Sequence, residues 1–351
     1  MQIAGRILSS AGCAIPAVAA CARRALSLSV LAAFSLGAHG QNQVLSAGYG
    51  DPWVDVAPGQ VLTLTTPALN VPDAVATQTP LPTSLSGVSV LVRVAGAQDV
   101  RGFPTSLPIF RVYTVHLLQV WNGAPCPADP NSVVCSYTQI TVEIPTEGVC
   151  APNPIEPKED CTAPPFHDLP PMLVLNVRAN GVTGPDLPVY VASAGATHLL
   201  NSCDSIFGPQ NISTCHPAIT HADGTLVSGT GASPVRVGET IVVYLVGLGT
   251  CGFGLTGYPT GSATTVPVQY PPSCGTVLFT YHVAAGTPSL AGAATNLRSI
   301  VAQPDWVGLI PGYVGLYQIN VTVPPMPDQA NPCSTQLSVP PSGYLSICVQ
   351  P

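Results

Sequence analysis

Charge is what this sequence has least of. Asp, Glu, Lys and Arg together make up only 8% of its 351 residues, and aromatic residues only 6%. Past residue 40 the single lysine is Lys158, and seven basic residues face 17 acids, a net of −10. A nucleic-acid partner needs a basic stripe to neutralise phosphates, so that class of partner is excluded. Past residue 40 no apolar run of about 18 residues escapes interruption by Pro, Gly or polar groups, so no transmembrane segment is expected there. The usual catalytic signatures are also missing. There is no Gly-x-Ser-x-Gly elbow, no His-Glu-x-x-His, and no Walker or dinucleotide glycine pattern. Without a Cys-x-x-Cys the chain lacks the ligand pairs of structural zinc, and its acids are too scattered to nominate a glycosidase pair. The chain is therefore expected to be a non-enzyme with no cofactor.

What is present points to strands. The hydrophobic 46% comes in short runs rich in Val, Leu and Ile, punctuated by 39 prolines and 33 glycines. That is the pattern of many short strands joined by turns. The β-branched content is ample for a core, and the high net charge of disordered chains is missing.

At the N-terminus Arg23-Arg24 precede the apolar run from Ala25 to Leu36, and Ala38-His39-Gly40 forms a small-x-small site. This order reads as a secretory signal over residues 1–40, cleaved after Gly40. The paired arginines also fit a twin-arginine signal, loosely. General secretion is preferred because many cysteines favour export before folding.

Twelve cysteines occur, of which Cys13 and Cys21 fall in the signal. The other ten read as a disulfide framework of an exported chain. Each neighbouring pair encloses a loop rich in Pro, Asn, Asp or Gly. Neighbours are thus the favoured partners: Cys126–Cys135, Cys150–Cys161, Cys203–Cys215, Cys251–Cys274 and Cys333–Cys348. Spacing alone leaves the connectivity open.

An internal repeat carries the architecture. Val56-Ala57-Pro58-Gly59-Gln60-Val61-Leu62-Thr63-Leu64 is matched by Val235-Arg236-Val237-Gly238-Glu239-Thr240-Ile241-Val242-Val243, each a turn glycine leading into a strand. Further on, Leu117 to Trp121 is aligned with Ile319 to Pro324. Each copy closes with paired strands: Met172 to Arg178 with Leu187 to Val191 about Asn180-Gly181, and Thr335 to Val339 with Tyr344 to Val349. Alternation in Leu173 to Arg178 and in Ile319 to Val323 indicates strands with one wet face. The expected fold is all-β: two tandem immunoglobulin-like β-sandwiches after an N-terminal signal peptide. The first spans 41–196 with a cysteine-bearing insertion at 122–168, a connector spans 197–234, and the second sandwich spans 235–351. Ala192 to Leu200 is the one candidate for a short helix outside the signal.

Three stretches resemble a known family. Ile219-Thr220-His221-Ala222-Asp223-Gly224-Thr225-Leu226 followed by Pro234 to Gly249, then Gly308-Leu309-Ile310-Pro311-Gly312-Tyr313-Val314-Gly315-Leu316-Tyr317-Gln318-Ile319-Asn320-Val321-Thr322-Val323-Pro324, and upstream Pro80 to Val90, are similar to the uncharacterised C-terminal domain family of Solibacter-type secreted bacterial proteins. The resemblance covers most of residues 52–350. It implies immunoglobulin-like sandwiches at the ends of larger exported bacterial proteins, and it transfers no activity and no functional residues. Cysteine-bearing insertions at 122–168 and 250–282 depart from the family pattern.

Few residues are candidates for chemistry. His167-Asp168 could orient a general base, but sits in a proline-rich loop. Cys215-His216 with His221 is the one local zinc-like cluster. His221-x-Asp223 could hold a metal, although an Asp-Gly turn explains Asp223 on backbone grounds. His116, in an apolar strand, reads as a sheet residue, and the knot Glu156 with Lys158-Glu159-Asp160 as a solvated loop. Asn211-Ile212-Ser213 and Asn320-Val321-Thr322 fit the glycosylation pattern by chance. Trp53, Trp121, Trp306, Tyr313 and Tyr317 are explained most simply as core. Trp306 and Tyr313 are kept as candidate ligand-stacking residues, because Gln303-Pro304-Asp305-Trp306 reads as a turn that would hold the ring at a loop. The expected function is a secreted or cell-surface module for interaction, adhesion or spacing. Its partner would be an unknown protein or a polysaccharide of the cell envelope or surroundings. A carbohydrate-binding accessory protein is the alternative, and a hydrolase with an unrecognised site the third. Extracellular, cell-surface and periplasmic locations all stay open.

Overall fold

A computed structural model describes residues 42, 44, 46–49, 56–95, 109–125, 136–145, 172–190, 196–204, 206, 215–229, 231–249, 261–283, 296–340 and 343–351. The expected signal over 1–40 lies outside them, as do Trp53, His167, Asp168 and the knot at 156–160. The chain from Gln41 to Pro351 forms one compact unit.

The protein is all-β. Its first half contains β1 (Ser46–Gly48), β2 (Val61–Pro67), β3 (Ala74–Val75), β4 (Val88–Ala95), β5 (Ile109–Thr114), β6 (His116–Pro125), β7 (Ser136–Glu143), β8 (Met172–Ala179), β9 (Val182–Thr183) and β10 (Leu187–Tyr190). These make two sheets, ordered β1-β2-β7-β6-β3 and β10-β8-β4-β5, with β9 paired to β8. One face of each sheet contributes to a common core, with Leu62, Leu64, Ile140 and Val142 from the first and Val90, Val92, Leu173 and Leu175 from the second. Strand periodicity accounts for this, since residues two apart point the same way.

The second half contains β11 (His198–Leu199), β12 (Ile219–His221), β13 (Val235–Arg236), β14 (Thr240–Val246), β15 (Val268–Gln269), β16 (Val277–Val283), β17 (Leu297–Ala302), β18 (Trp306–Leu309), β19 (Tyr317–Thr322), β20 (Ala330–Ser338), β21 (Tyr344–Ile347) and β22 (Val349–Gln350). The sheet β11-β14-β19-β18-β15, with β12 also on β14, shares a core with β17-β16-β20-β21, while β13 and β22 pair in parallel. Phe279, Tyr281, Tyr317 and Ile319 lie at its centre.

The repeat is visible in hydrogen bonds. The order β2-β7-β6-β3 matches β14-β19-β18-β15, and β10-β8-β4-β5 matches β21-β20-β16-β17. Gly59 (φ 72°) and Gly238 (φ 80°) both turn through the left-handed region that glycine reaches at no steric cost. The Gly59 N–H donates to Ile144 O and that of Gly238 to Val323 O. The Gln60 N–H donates to Ala57 O and that of Glu239 to Arg236 O.

These bonds correct the alignment. Ile319 to Pro324 corresponds to Ile140-Thr141-Val142-Glu143-Ile144-Pro145, not to Leu117–Trp121, which lies one strand over in β6. The segment 122–168 is accordingly more than an insertion, because it contains β7 between β2 and β6. Segment 250–282 likewise contains β15 and most of β16. The segment 197–234 contributes β11 and β12 to the β14 sheet. His198–Leu199 is strand, so the short helix expected over 192–200 does not extend there, the backbone groups being taken by Leu245 and Val246.

Cys203–Cys215 and Cys333–Cys348 are disulfides, as neighbour pairing expected. Cys274 is disulfide-bonded too. Cys251 and the pairs Cys126–Cys135 and Cys150–Cys161 lie outside the described residues. Among the described residues no helix is long and apolar enough to cross a membrane.

The halves are joined by apolar and polar contacts alike. Leu200 and Val246 belong to the first core cluster, and Tyr244 and Leu316 pack against it. Gln60 Nε2 donates to Tyr49 Oη (2.5 Å) and to Ala196 O (3.1 Å), and Gln119 Nε2 donates to Ile206 O (2.6 Å). The Gly261 N–H donates to Glu143 Oε2 (2.5 Å), while Gly261 O accepts from the Leu81 N–H (2.8 Å). A Cβ at Gly261 would meet the His116 ring at 2.5 Å, so this backbone lies directly on the imidazole.

Candidate functional site

His221 ends β12, the strand paired with β14, and points back at the turn that opens β14. Its Nδ1 contacts Glu239 Oε1, and its Nε2 lies 3.0 Å from Ser233 Oγ. The second carboxylate oxygen, Oε2, accepts the Arg236 N–H at 2.9 Å. The side chain of Glu239 thus closes its own turn, as Gln60 does in the first half, where Oε1 accepts the Ala57 N–H at 2.6 Å. Partial burial pushes the Glu239 carboxyl up, but the bonds from His221 and Arg236 outweigh it and hold it below its ordinary 4.5.

The order Ser–His–Glu is that of a nucleophile, its base and an orienting carboxylate. The residue after Ser233 is Pro234, which has no N–H with which to hold a developing oxyanion. The bonds of the trio join the end of β12, the residue before Pro234 and the turn before β14.

The metal readings come apart. Asp223 Oδ1 accepts the N–H (2.9 Å) and hydroxyl (2.7 Å) of Thr225, an Asx turn around Gly224 at φ 85°. Those backbone and side-chain bonds, not His221, lead in lowering its carboxyl. Cys215 is committed to Cys203. Among the described residues no group of three His, Cys, Asp or Glu is placed to hold a metal ion.

A second polar cluster lies at the junction. Tyr49 stacks on His198 with ring centroids 3.9 Å apart, and His198 Nε2 lies 2.9 Å from Asp204 Oδ1. Burial pushes the Tyr49 phenol far up, the Gln60 bond opposing it. In the second core Tyr317 is likewise pushed up by burial.

Trp306 and Tyr313 are not brought together. Trp306 is the first residue of β18, paired with Asn320, and so lies on a strand and not on the loop expected from Gln303 to Trp306. The turn is confined to 303–305 because the Asp305 N–H already bonds Asn320 O and starts the ladder. Tyr313 stands 59% exposed in the turn between β18 and β19. Trp121 is half-buried opposite Gln139 in β6, and Tyr317 is core. Reasoning from sequence missed Ser233 and Glu239. The position of Glu239, directly after the turn glycine and in register with Gln60, was the available signal for one of them. No family model matches the chain, and no curated protein matches it.

Proposed function

We propose that the chain is an exported, non-catalytic module whose two immunoglobulin-like sandwiches serve interaction, adhesion or spacing at the cell surface or beyond it. The observation that carries this reading is the junction. Bonds from Gln60, Gln119 and Glu143 to the backbone at Ala196, Ile206 and Gly261 tie the two repeats into one compact unit. A bonded junction of that kind suits a part that presents a surface or holds a distance, and disulfides and scarce lysine suit exposure to proteases. The trio at His221 fits the same reading as a clamp that fixes the turn before β14.

Fold-dependent retention on cell-envelope fractions tests it. Oxidised protein should be retained and reduced, alkylated protein should not. Ser233→Ala should be retained like the parent, and a fluorophosphonate probe should leave Ser233 unmodified. Covalent labelling at Ser233 would overturn the non-catalytic reading in favour of a hydrolase. A carbohydrate-binding accessory role is the second reading, favoured by the setting of Trp306.

The clamp makes its own prediction. A carboxyl held below its unfolded value adds stability above that value and loses it as pH falls through the folded one. Below pH 4.5 the parent should therefore lose stability more steeply than Glu239→Gln. Urea midpoints measured from neutral pH downward read this directly, and parallel acid limbs would refute it.

A further inference from the structure

On β18 and β19 the residues alternate sharply. Val307, Leu309, Ile319 and Val321 face the core, whereas Trp306, Gly308, Gln318 and Asn320 share the opposite face. Gln269 lies opposite Gly308 and Val242 opposite Asn320 on that same face. A Cβ at Gly308 would meet Val268 O at 1.9 Å and the Trp306 ring atom Cζ2 at 2.9 Å. Residues two apart on a strand are separated by about 6.5 Å. The indole must therefore lean along the strand over Gly308, and a ring standing off the sheet would not reach that point. Glycine is the one residue that admits both the ring and the Val268 carbonyl.

Polar groups flank the ring in fixed positions. Gln318 Nε2 donates to Asn320 Oδ1 at 2.6 Å, which orients both amides. Thr322 Oγ1 donates to Asp305 Oδ2 at 2.8 Å, both exposed. Tyr244, opposite Gln318, packs against the first core cluster and bounds the open face at that end. No lysine or arginine occurs on β14, β15, β18 or β19.

We infer that this face is a stacking platform for a neutral glycan, with the Trp306 ring under the C–H face of a pyranose and the amides of Asn320, Gln318 and Gln269 meeting its hydroxyls. The inference rests on the reading of the chain as an interaction module and names the ligand class of one of its surfaces. An apolar ring flat on a sheet and flanked by amides and a hydroxyl matches the two sides of a sugar, C–H and O–H. None of β14, β15, β18 and β19 offers a cation to an anionic polymer.

Affinity electrophoresis of the oxidised protein decides it. The gels contain mixed-linkage β-glucan, xyloglucan or hydroxyethyl cellulose, with polygalacturonate as the anionic control. At least one neutral polymer should retard the protein and perturb its tryptophan fluorescence. Trp306→Ala should lose about tenfold or more of that affinity, a scale set by the loss of one aromatic contact, while Trp306→Tyr keeps most of it. Asn320→Ala should weaken binding by severalfold, and it decides the matter if Trp306→Ala fails to fold. Retardation by polygalacturonate alone, by no polymer, or undiminished in both alanine variants overturns the platform. Envelope retention that survives in Trp306→Ala without any glycan binding would sink the glycan and leave the interaction module standing.

Discussion

Leu62→Ala and Phe279→Ala, one in each core, should each lower the same single unfolding transition. Both side chains are fully buried, Leu62 in the first cluster and Phe279 in the second. Removing a buried leucine costs about 2–5 kcal/mol and a buried phenylalanine about 3–5 kcal/mol, the lost transfer energy plus the cavity left behind. Linked domains with small, wet interfaces melt separately. This junction is different. Val246 and Leu200 complete the first core, and Gln60, Gln119 and Glu143 would lose their bonds to Ala196, Ile206 and Gly261 if either half opened alone. Buried polar groups deprived of partners cost about 1–3 kcal/mol each, which couples the halves. Urea titration followed by tryptophan fluorescence and by far-ultraviolet dichroism should give coincident curves. Two resolved transitions, with Leu62→Ala moving just one of them, would show the halves to be independent.

The second large effect concerns Cys333 and Cys348. Their disulfide encloses a separation of 15 residues, for which chain-entropy reasoning gives about 3 kcal/mol. The consequence reaches past β20 and β21. Cys348 O accepts the Val235 N–H, and Gln350 O accepts the Val237 N–H, so the same segment holds the strand that leads into the Glu239 turn. The double variant Cys333→Ala/Cys348→Ala should therefore lose stability and also speed hydrogen exchange at Val235 and Val237. An unchanged midpoint with unchanged exchange would show the crosslink to be dispensable.

Both effects rest on features of unequal visibility in the sequence. The Gly59 and Gly238 turns were legible because a left-handed glycine before an alternating run leaves a local mark. Asn180-Gly181 was legible for the same reason, with φ of 52° and 77° matching a two-residue hairpin turn. The misplacement of Ile319 to Pro324 has a physical origin as well. A cysteine-rich loop on either side makes β7 look like part of an insertion, and only pairing with β2 identifies it as a central strand. At His221 the local pair with Asp223 attracted attention, yet the ring nitrogens go to groups 12 and 18 residues away. Contacts of that range depend on how turns come together, which periodicity does not encode. Trp306 reads from the sequence as the end of a turn, but a strand and a glycine, not a loop, orient it.

The parallel pairing of β22 with β13 also imposes an order in time. Strands β1 to β10 are all on hand once residue 190 has emerged from a ribosome or an export channel, and their two sheets can begin to close while synthesis or transit continues. The second half has no such freedom. Val235 and Arg236 wait for Val349 and Gln350, and Cys333 waits for Cys348. Until then Cys333 is an unpaired thiol, open to exchange with any disulfide it meets. An oxidising compartment would therefore raise the yield of the native Cys333–Cys348 crosslink and, with it, of the β13–β22 pairing.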